Sequence, residues 1–241
     1  MRAYGLSDIG KVRESNQDCF AVSVSGAEPV WAVVCDGMGG ANGGYYASST
    51  SVGVFSHSMD ISFEGLKSKQ VENVMREATE NANADVYKTS LEQADLSGMG
   101  TTLVAAIVLG DSAHIAHVGD SRAYKIGDGK IERLTTDHSV VQQLVELGKL
   151  SEEEAQNHPE KNMITRAVGV KDSVEVDTKS IKLRKNEALL LCTDGLSNVV
   201  SEEEMLDIVL GVEHEEAAEL LISLALTRGG PDNVTAVIIK D

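Results

Sequence analysis

Short β-branched apolar runs alternate along this chain with longer stretches in which apolar residues recur every three or four positions. The clearest short run is Trp31-Ala32-Val33-Val34-Cys35, which stops on Asp36 and a glycine-rich segment, Gly37-Met38-Gly39-Gly40. Its composition predicts a core strand, with the glycines supplying a tight turn. Residues 1–25 predict a strand, a turn and a second strand, with the dense polar stretch 10–18 between them. Residues 103–109 form a continuous apolar run and 114–118 alternate, so both read as strands. Residues 123–126 and 130–134 flank Gly127-Asp128-Gly129, a hairpin signal. Residues 187–192 repeat the opening pattern, an apolar run through a cysteine into Thr193-Asp194-Gly195, and 234–239 form the last strand.

Between these runs the period lengthens. Residues 45–59 predict a helix rich in Ala, Ser and Val, and 65–93 place Val71, Val74, Met75, Ala78, Ala82, Val86 and Tyr87 on one helical stripe. Residues 140–147 predict a short helix stopped by Gly148, Ser151 and Glu154 form a capping box, and His158-Pro159 breaks the helix that follows. The segment 138–170 is therefore a helical insertion between strands, either a mobile flap or a plain connection. Ser201 with Glu204 caps a helix over 202–210, and 213–226 form a second amphipathic one. No linker, low-complexity tract or tandem repeat interrupts the pattern, which predicts one domain over 1–241.

Composition changes this picture in two ways. The formal charge of −17 argues against nucleic-acid binding, which needs a basic face. No apolar run reaches the roughly 18 residues of a membrane span, and the first residues lack a signal-peptide core. The three cysteines are scattered, with no zinc spacing and no disulfide framework. Cys35 and Cys192 read as small buried thiols, and a reducing cytoplasm fits.

Candidate chemistry lies at the ends of the strands. Asp18, Asp36, Asp120, Asp194 and Asp232 each stand where an apolar run begins or ends. Gathered in one place, they would repel strongly unless cations held them. Scatter over the surface and convergence around cations are both open at this point. If they converge, the donors are all oxygen: carboxylates, the Gly37 carbonyl and water. Such a set favours Mg²⁺ or Mn²⁺. Asp36 could then bridge two ions about 4 Å apart, the spacing that clamps an in-line displacement at phosphorus. Arg13, five residues before Asp18, is the natural anion clamp.

At these residues the chain resembles the metal-dependent serine/threonine protein phosphatases of type 2C, in their short bacterial form. The matching segments are Arg13-Glu14-Ser15-Asn16-Gln17-Asp18, Val34-Cys35-Asp36-Gly37-Met38-Gly39-Gly40, Gly98-Met99-Gly100-Thr101-Thr102 and Val118-Gly119-Asp120-Ser121-Arg122. They continue with Leu134-Thr135-Thr136-Asp137-His138-Ser139, Thr165-Arg166-Ala167-Val168-Gly169, Thr193-Asp194-Gly195-Leu196 and Gly230-Pro231-Asp232-Asn233-Val234-Thr235. They run in the family's order over essentially the whole chain.

The resemblance implies an α+β fold, a four-layer α-β-β-α sandwich of two antiparallel sheets flanked by helices, with 138–170 as a flap beside the site. It implies that Asp36 bridges two Mn²⁺ or Mg²⁺ ions, that Gly37 offers its carbonyl to one, and that Asp194 and Asp232 complete the other. Asp18 supports the cluster through water, Asp120 with Asp194 holds a third, weaker ion, and Arg13 grips the phosphate. The implied reaction is direct hydrolysis of phosphoserine and phosphothreonine by an activated water. The implied partners are phosphorylated proteins, a Ser/Thr kinase and its substrates among them, met in the cytoplasm by a monomer. A phosphorylated anti-sigma-factor antagonist is the alternative substrate.

One departure stands out. Many relatives carry a histidine just after the glycine turn, where this chain has Met38 and Ala41. His138 is the nearest histidine by motif, and the expected proton donor to the leaving group is water. Two rival functions fit less well. A dinucleotide-binding turn after residue 36 fails because Asn42 stands where its third glycine belongs. A phosphoprotein-binding pseudoenzyme would not need all five acids.

Overall fold

The computed structural model describes residues 1–24, 26, 28–61 and 63–241, with the backbone alone at Ala41 and Gln156. The expected strand limit at Ser25, and the side chain of Ala41, lie outside the described residues. Two antiparallel sheets form the centre. One runs in the order β1 (Arg2–Asp8), β11 (Val234–Lys240), β10 (Ala188–Cys192), β7 (Arg122–Gly127), β8 (Lys130–Arg133). The other runs β2 (Asp18–Val22), β3 (Val30–Met38), β5 (Leu103–Leu109), β6 (Ser112–Val118), β9 (Asp177–Lys182), with the short β4 (Gly100–Thr101) paired to the end of β3.

Period-two alternation explains why the sheets stack. Ala32, Val34, Val104 and Ala106 of one sheet meet Leu189, Leu191, Val237 and Ile239 of the other. Their neighbours point outward. Val33, Cys35, Ala105 and Ile107 pack on Phe55 of α1 (Gly40–Ser58) and on Met75, Ala78 and Ala82 of α2 (Ser68–Glu92). Tyr124, Ile126, Leu190 and Ile238 pack on Met205 and Val209 of α6 (Glu202–Gly211) and on Ala218 and Leu221 of α7 (His214–Thr227). The result is the expected α+β arrangement of helices, sheet, sheet, helices. Strands buried on both faces read as continuous apolar runs for this reason.

The connections follow local chemistry. Asp128 and Gly129 both take positive φ, 51° and 70°, which closes the β7–β8 hairpin in the primed geometry that strand twist favours. In the 138–170 insertion, α3 (Val140–Glu146) is capped by the Ser139 hydroxyl, and α4 (Glu152–Gln156) carries the Ser151–Glu154 capping box.

Three features depart from the sequence reading. Strand β9 was not expected: Asp177-Thr178-Lys179-Ser180-Ile181-Lys182 is polar because it is a half-buried edge, where lysines discourage further pairing. Helix α1 begins at Gly40, five residues earlier than expected. Gly37 is not in the turn but inside β3, paired with Thr101. A Cβ there would lie 2.1 Å from the Gly44 carbonyl oxygen, so glycine is needed to let α1 close on the strand. Among the described residues no helix is long and apolar enough to cross a membrane.

Candidate metal centre

The five acids sit at one end of the sandwich. Asp18 opens β2 and Asp36 nears the end of β3, directly opposite each other in the ladder. Asp120 follows β6 by two residues, Asp194 opens the four-residue helix α5 (Asp194–Ser197) just after β10, and Asp232 precedes β11 by two. Antiparallel pairing brings the start of β2 beside the end of β3, and the end of β10 beside the start of β11. Both sheets thus deliver carboxylates to a shared rim.

That rim encloses a cavity of about 870 Å³, lined by Arg13, Asp36, Gly37, Asp120, Asp194 and Asp232 among others. Asp18 does not line it. It lies buried beneath, where the Thr193 and Thr235 hydroxyls donate to its Oδ2 at 2.9 and 2.7 Å. Its Oδ1 is buried without a hydrogen-bond partner. A buried oxygen in that state is the deficit a cation or its water fills.

The backbone fixes the spacing. Asp36 N–H donates to Thr102 Oγ1 at 2.9 Å, and Thr102 N–H and Thr101 Oγ1 both donate to the Asp36 carbonyl. Thr102 Oγ1 and Ser121 Oγ lie 2.7 Å apart, joining the Asp36 strand to the loop that carries Asp120. Asn198 Nδ2 donates to Asp194 Oδ2 at 3.0 Å.

The electrostatics are those of crowded, desolvated acids. Burial lifts the Asp18 and Asp120 carboxyls to about 7, helped at both by the Asp194 charge. Asp36 is pushed well up by burial and then by Asp18, Asp194 and Asp120. Asp194 rises through burial and the Asp232 charge, checked by a hydrogen bond with Asp36. Carboxylates so placed hold protons until cations replace them. With only oxygen donors present, the residues fit hard divalent ions.

Arg13 reaches the site but does not stand open to it. Its Nη2 lies 2.7 Å from Asp232 Oδ2, and that bond raises the guanidinium further above its ordinary value. The loop that carries it is tied down by a residue without charge. Asn233 Nδ2 donates to the Ile9 and Ser15 carbonyls at 2.9 and 3.0 Å, and Asn233 Oδ1 accepts from Gln17 N–H at 2.9 Å.

His138 does not line the cavity. It is 8% exposed, stacked on His117 with ring centroids 4.5 Å apart, and its Nδ1 accepts from Gly119 N–H at 3.0 Å. Burial, His117 and Arg166 hold it down near 4, so it is neutral at physiological pH. His117, His138 and Asp177 form a second cluster of possible ligands, with atoms within 4.8 Å of one another. A cation already serves that cluster: Arg166 Nη1 lies 2.7 Å from Asp177 Oδ1 and 3.0 Å from His138 Nε2.

Sequence reasoning missed the supports. Thr193, Thr235 and Asn233 fall inside quoted segments, yet nothing about a lone threonine or asparagine marks it as a brace until its partner is placed. Thr102 and Asn162 line the cavity and were likewise unassigned.

Comparison with known proteins places the chain. A profile of the protein phosphatase 2C family matches residues 10–222. The serine/threonine phosphatase stp of Listeria welshimeri is 38% identical over 241 residues, covering 100% of this chain and 96% of that protein. The structure of serine/threonine phosphatase Stp1 from Staphylococcus aureus superposes with a TM-score of 0.92 at 34% identity, covering 99% of this chain and 94% of that one. The catalytic domain of the serine/threonine protein phosphatase PstP, solved in complex with two manganese ions, has a TM-score of 0.84 at 35% identity, covering 98% and 96%. Fold, matched segments and sequence likeness over the full length agree, and the chain belongs to the protein phosphatase 2C family.

Proposed function

We propose that this chain is a metal-dependent protein serine/threonine phosphatase whose residues 1–241 act as a single catalytic domain. One observation carries the reading: carboxylates from both sheets converge with Arg13 on one open cavity. Asp36 would bridge two ions, with the Gly37 carbonyl on one and Asp194 and Asp232 on the other. Asp18 would act through water from below, and Asp120 with Asp194 would hold a third, weaker ion. The manganese in the PstP structure and the oxygen-only donor set favour Mn²⁺ or Mg²⁺.

When bound, the ions supply an activated water for in-line attack at phosphorus and offset charge on the phosphoryl oxygens. The chain's own residues do the rest. Arg13 leaves Asp232 and turns its fork to the phosphate, a bidentate match. Thr193 and Thr235 keep Asp18 aligned, and Thr102 keeps Asp36 at its depth in the rim. Among the described residues no cysteine and one serine, Ser15, line the cavity, and the reading takes the phosphoryl group directly to water, with the acids holding the ions that would activate it. Met38 offers no proton and neutral His138 does not line the cavity, and the reading assigns proton donation to the leaving oxygen to water.

The substrates are phosphorylated proteins. In the finer reading the enzyme opposes a Ser/Thr kinase, works in the cytoplasm and acts as a monomer. Hydrolysis of p-nitrophenyl phosphate with Mn²⁺, before and after EDTA, tests the assignment. Turnover that needs the ion supports it, and activity that survives thorough chelation overturns it.

A further inference from the structure

Asp120 reaches the cavity from a three-residue loop, Gly119-Asp120-Ser121, between β6 and β7. Both ends of that loop are fixed. Ser121 Oγ lies 2.7 Å from Thr102 Oγ1. Gly119 has φ 105°, and a Cβ there would lie 2.6 Å from Thr102 Cγ2, so its peptide packs closely on that side chain. The Gly119 peptide is also gripped from the other side by a single residue, His138. His138 N–H donates to the Gly119 carbonyl at 2.9 Å, and His138 Nδ1 accepts from Gly119 N–H at 3.0 Å. That second bond is buried, so without the ring the Gly119 N–H would lose its partner out of reach of bulk water.

The ring is oriented for this one task. Because Nδ1 accepts, the ring proton sits on Nε2, where Asp177 Oδ2 lies 3.3 Å away. Arg166 Nη1 also lies close, yet it donates its two protons elsewhere, to Asp177 Oδ1 at 2.7 Å and to the Glu175 carbonyl at 3.2 Å. The ring's plane is set by stacking on His117, whose Nε2–H donates to the Thr136 carbonyl at 2.9 Å. A ring fixed in tautomer, plane and position presents its Nδ1 lone pair to one backbone amide, and that amide belongs to the residue before Asp120.

We propose that His138 is a positioning residue for the metal centre: through Gly119 it sets the place of the Asp120 carboxylate, and with it the affinity for the weaker third ion. The proposal rests on the phosphatase reading, which gives that ion to Asp120 and Asp194. It assigns the histidine a part that needs neither contact with substrate nor a change in its charge.

Calorimetric titration of metal-stripped protein with Mn²⁺ tests this. Asp120→Ala should remove the weakest binding step and so identify it. His138→Ala should raise the Kd of that step about tenfold, the worth of one lost hydrogen bond, and leave the tighter ions unchanged. His138→Asn places an amide oxygen where Nδ1 stood and should restore most of the affinity. His138→Gln fills more of the ring's volume but carries its amide near the place of Nε2, and should not restore it. In the Asp120→Ala background, His138→Ala should change Mn²⁺ binding no further. Should His138→Ala fold poorly, the contrast between the Asn and Gln variants decides alone. An unchanged weak step, an equal weakening of every ion, rescue by Gln as good as by Asn, or no weak step in the parent protein overturns the proposal. The phosphatase reading is judged separately, by Mn²⁺-dependent turnover of p-nitrophenyl phosphate in the parent protein.

Discussion

Asp18 and Asp36 face each other directly across the β2–β3 ladder, two acids at one rung. Like charges so placed oppose folding, and Asp36 also meets the fields of Asp194 and Asp120. The arrangement favours ion binding over stability. Asp36→Asn should lower kcat by a factor on the order of 10²–10³ in saturating Mn²⁺. The same variant should melt higher than the parent when both are stripped of metal. Steady-state kinetics and calorimetry on one preparation check both halves.

Metal-free stability should fall as pH rises. Burial lifts Asp18 and Asp120 to about 7, whereas in the unfolded chain such groups lose their protons near pH 4. Between those values the folded form carries more protons, so acid stabilises it and the advantage is lost as pH climbs through 7. The Tm of EDTA-treated protein should drop from pH 5 to pH 8, and saturating Mn²⁺ should flatten or reverse the trend. A metal-free Tm that climbs over this range would contradict the assignment.

Arg13→Ala should raise KM for a phosphopeptide about tenfold with little change in kcat, the signature of lost uniform binding. Asn233→Ala should act on the same loop from behind. It frees the Ile9 and Ser15 carbonyls, costing about 1–3 kcal/mol in stability, and raises KM less than removing the guanidinium does. An unchanged KM in Arg13→Ala would remove the clamp role.

His138→Ala should leave leaving-group dependence intact. The ring is neutral, stacked on His117 and outside the cavity. The ratio of kcat for phenyl phosphate to kcat for p-nitrophenyl phosphate should match the parent's. A selective loss on the phenyl ester would make this histidine the proton donor after all.

Much of this was legible in the sequence because buried strands and their terminal acids are strong local signals. The runs through Val34, Ile107, Leu190 and Val237 are all core, and each acid at a run's end lies near the rim. What escaped depends on partners distant in the chain. Strand β9 has no apolar pattern because it is an edge. Gly37 looks like a turn glycine, and only the approach of Gly44 shows that it is a strand residue needing bare space. Thr235 reveals its part only when Asp18, 217 residues away, comes within 2.7 Å. The Arg13–Asp232 pair was equally invisible, since each residue alone was expected to face a ligand.

Because the acid rim draws on both sheets, an ion held there is a rivet through the two layers. Asp36 lies in β3 of one sheet, while Asp194 follows β10 and Asp232 precedes β11 of the other. Sliding or delaminating the sandwich would have to eject the cations first, so loading with metal should slow global unfolding and proteolysis as well as enable turnover.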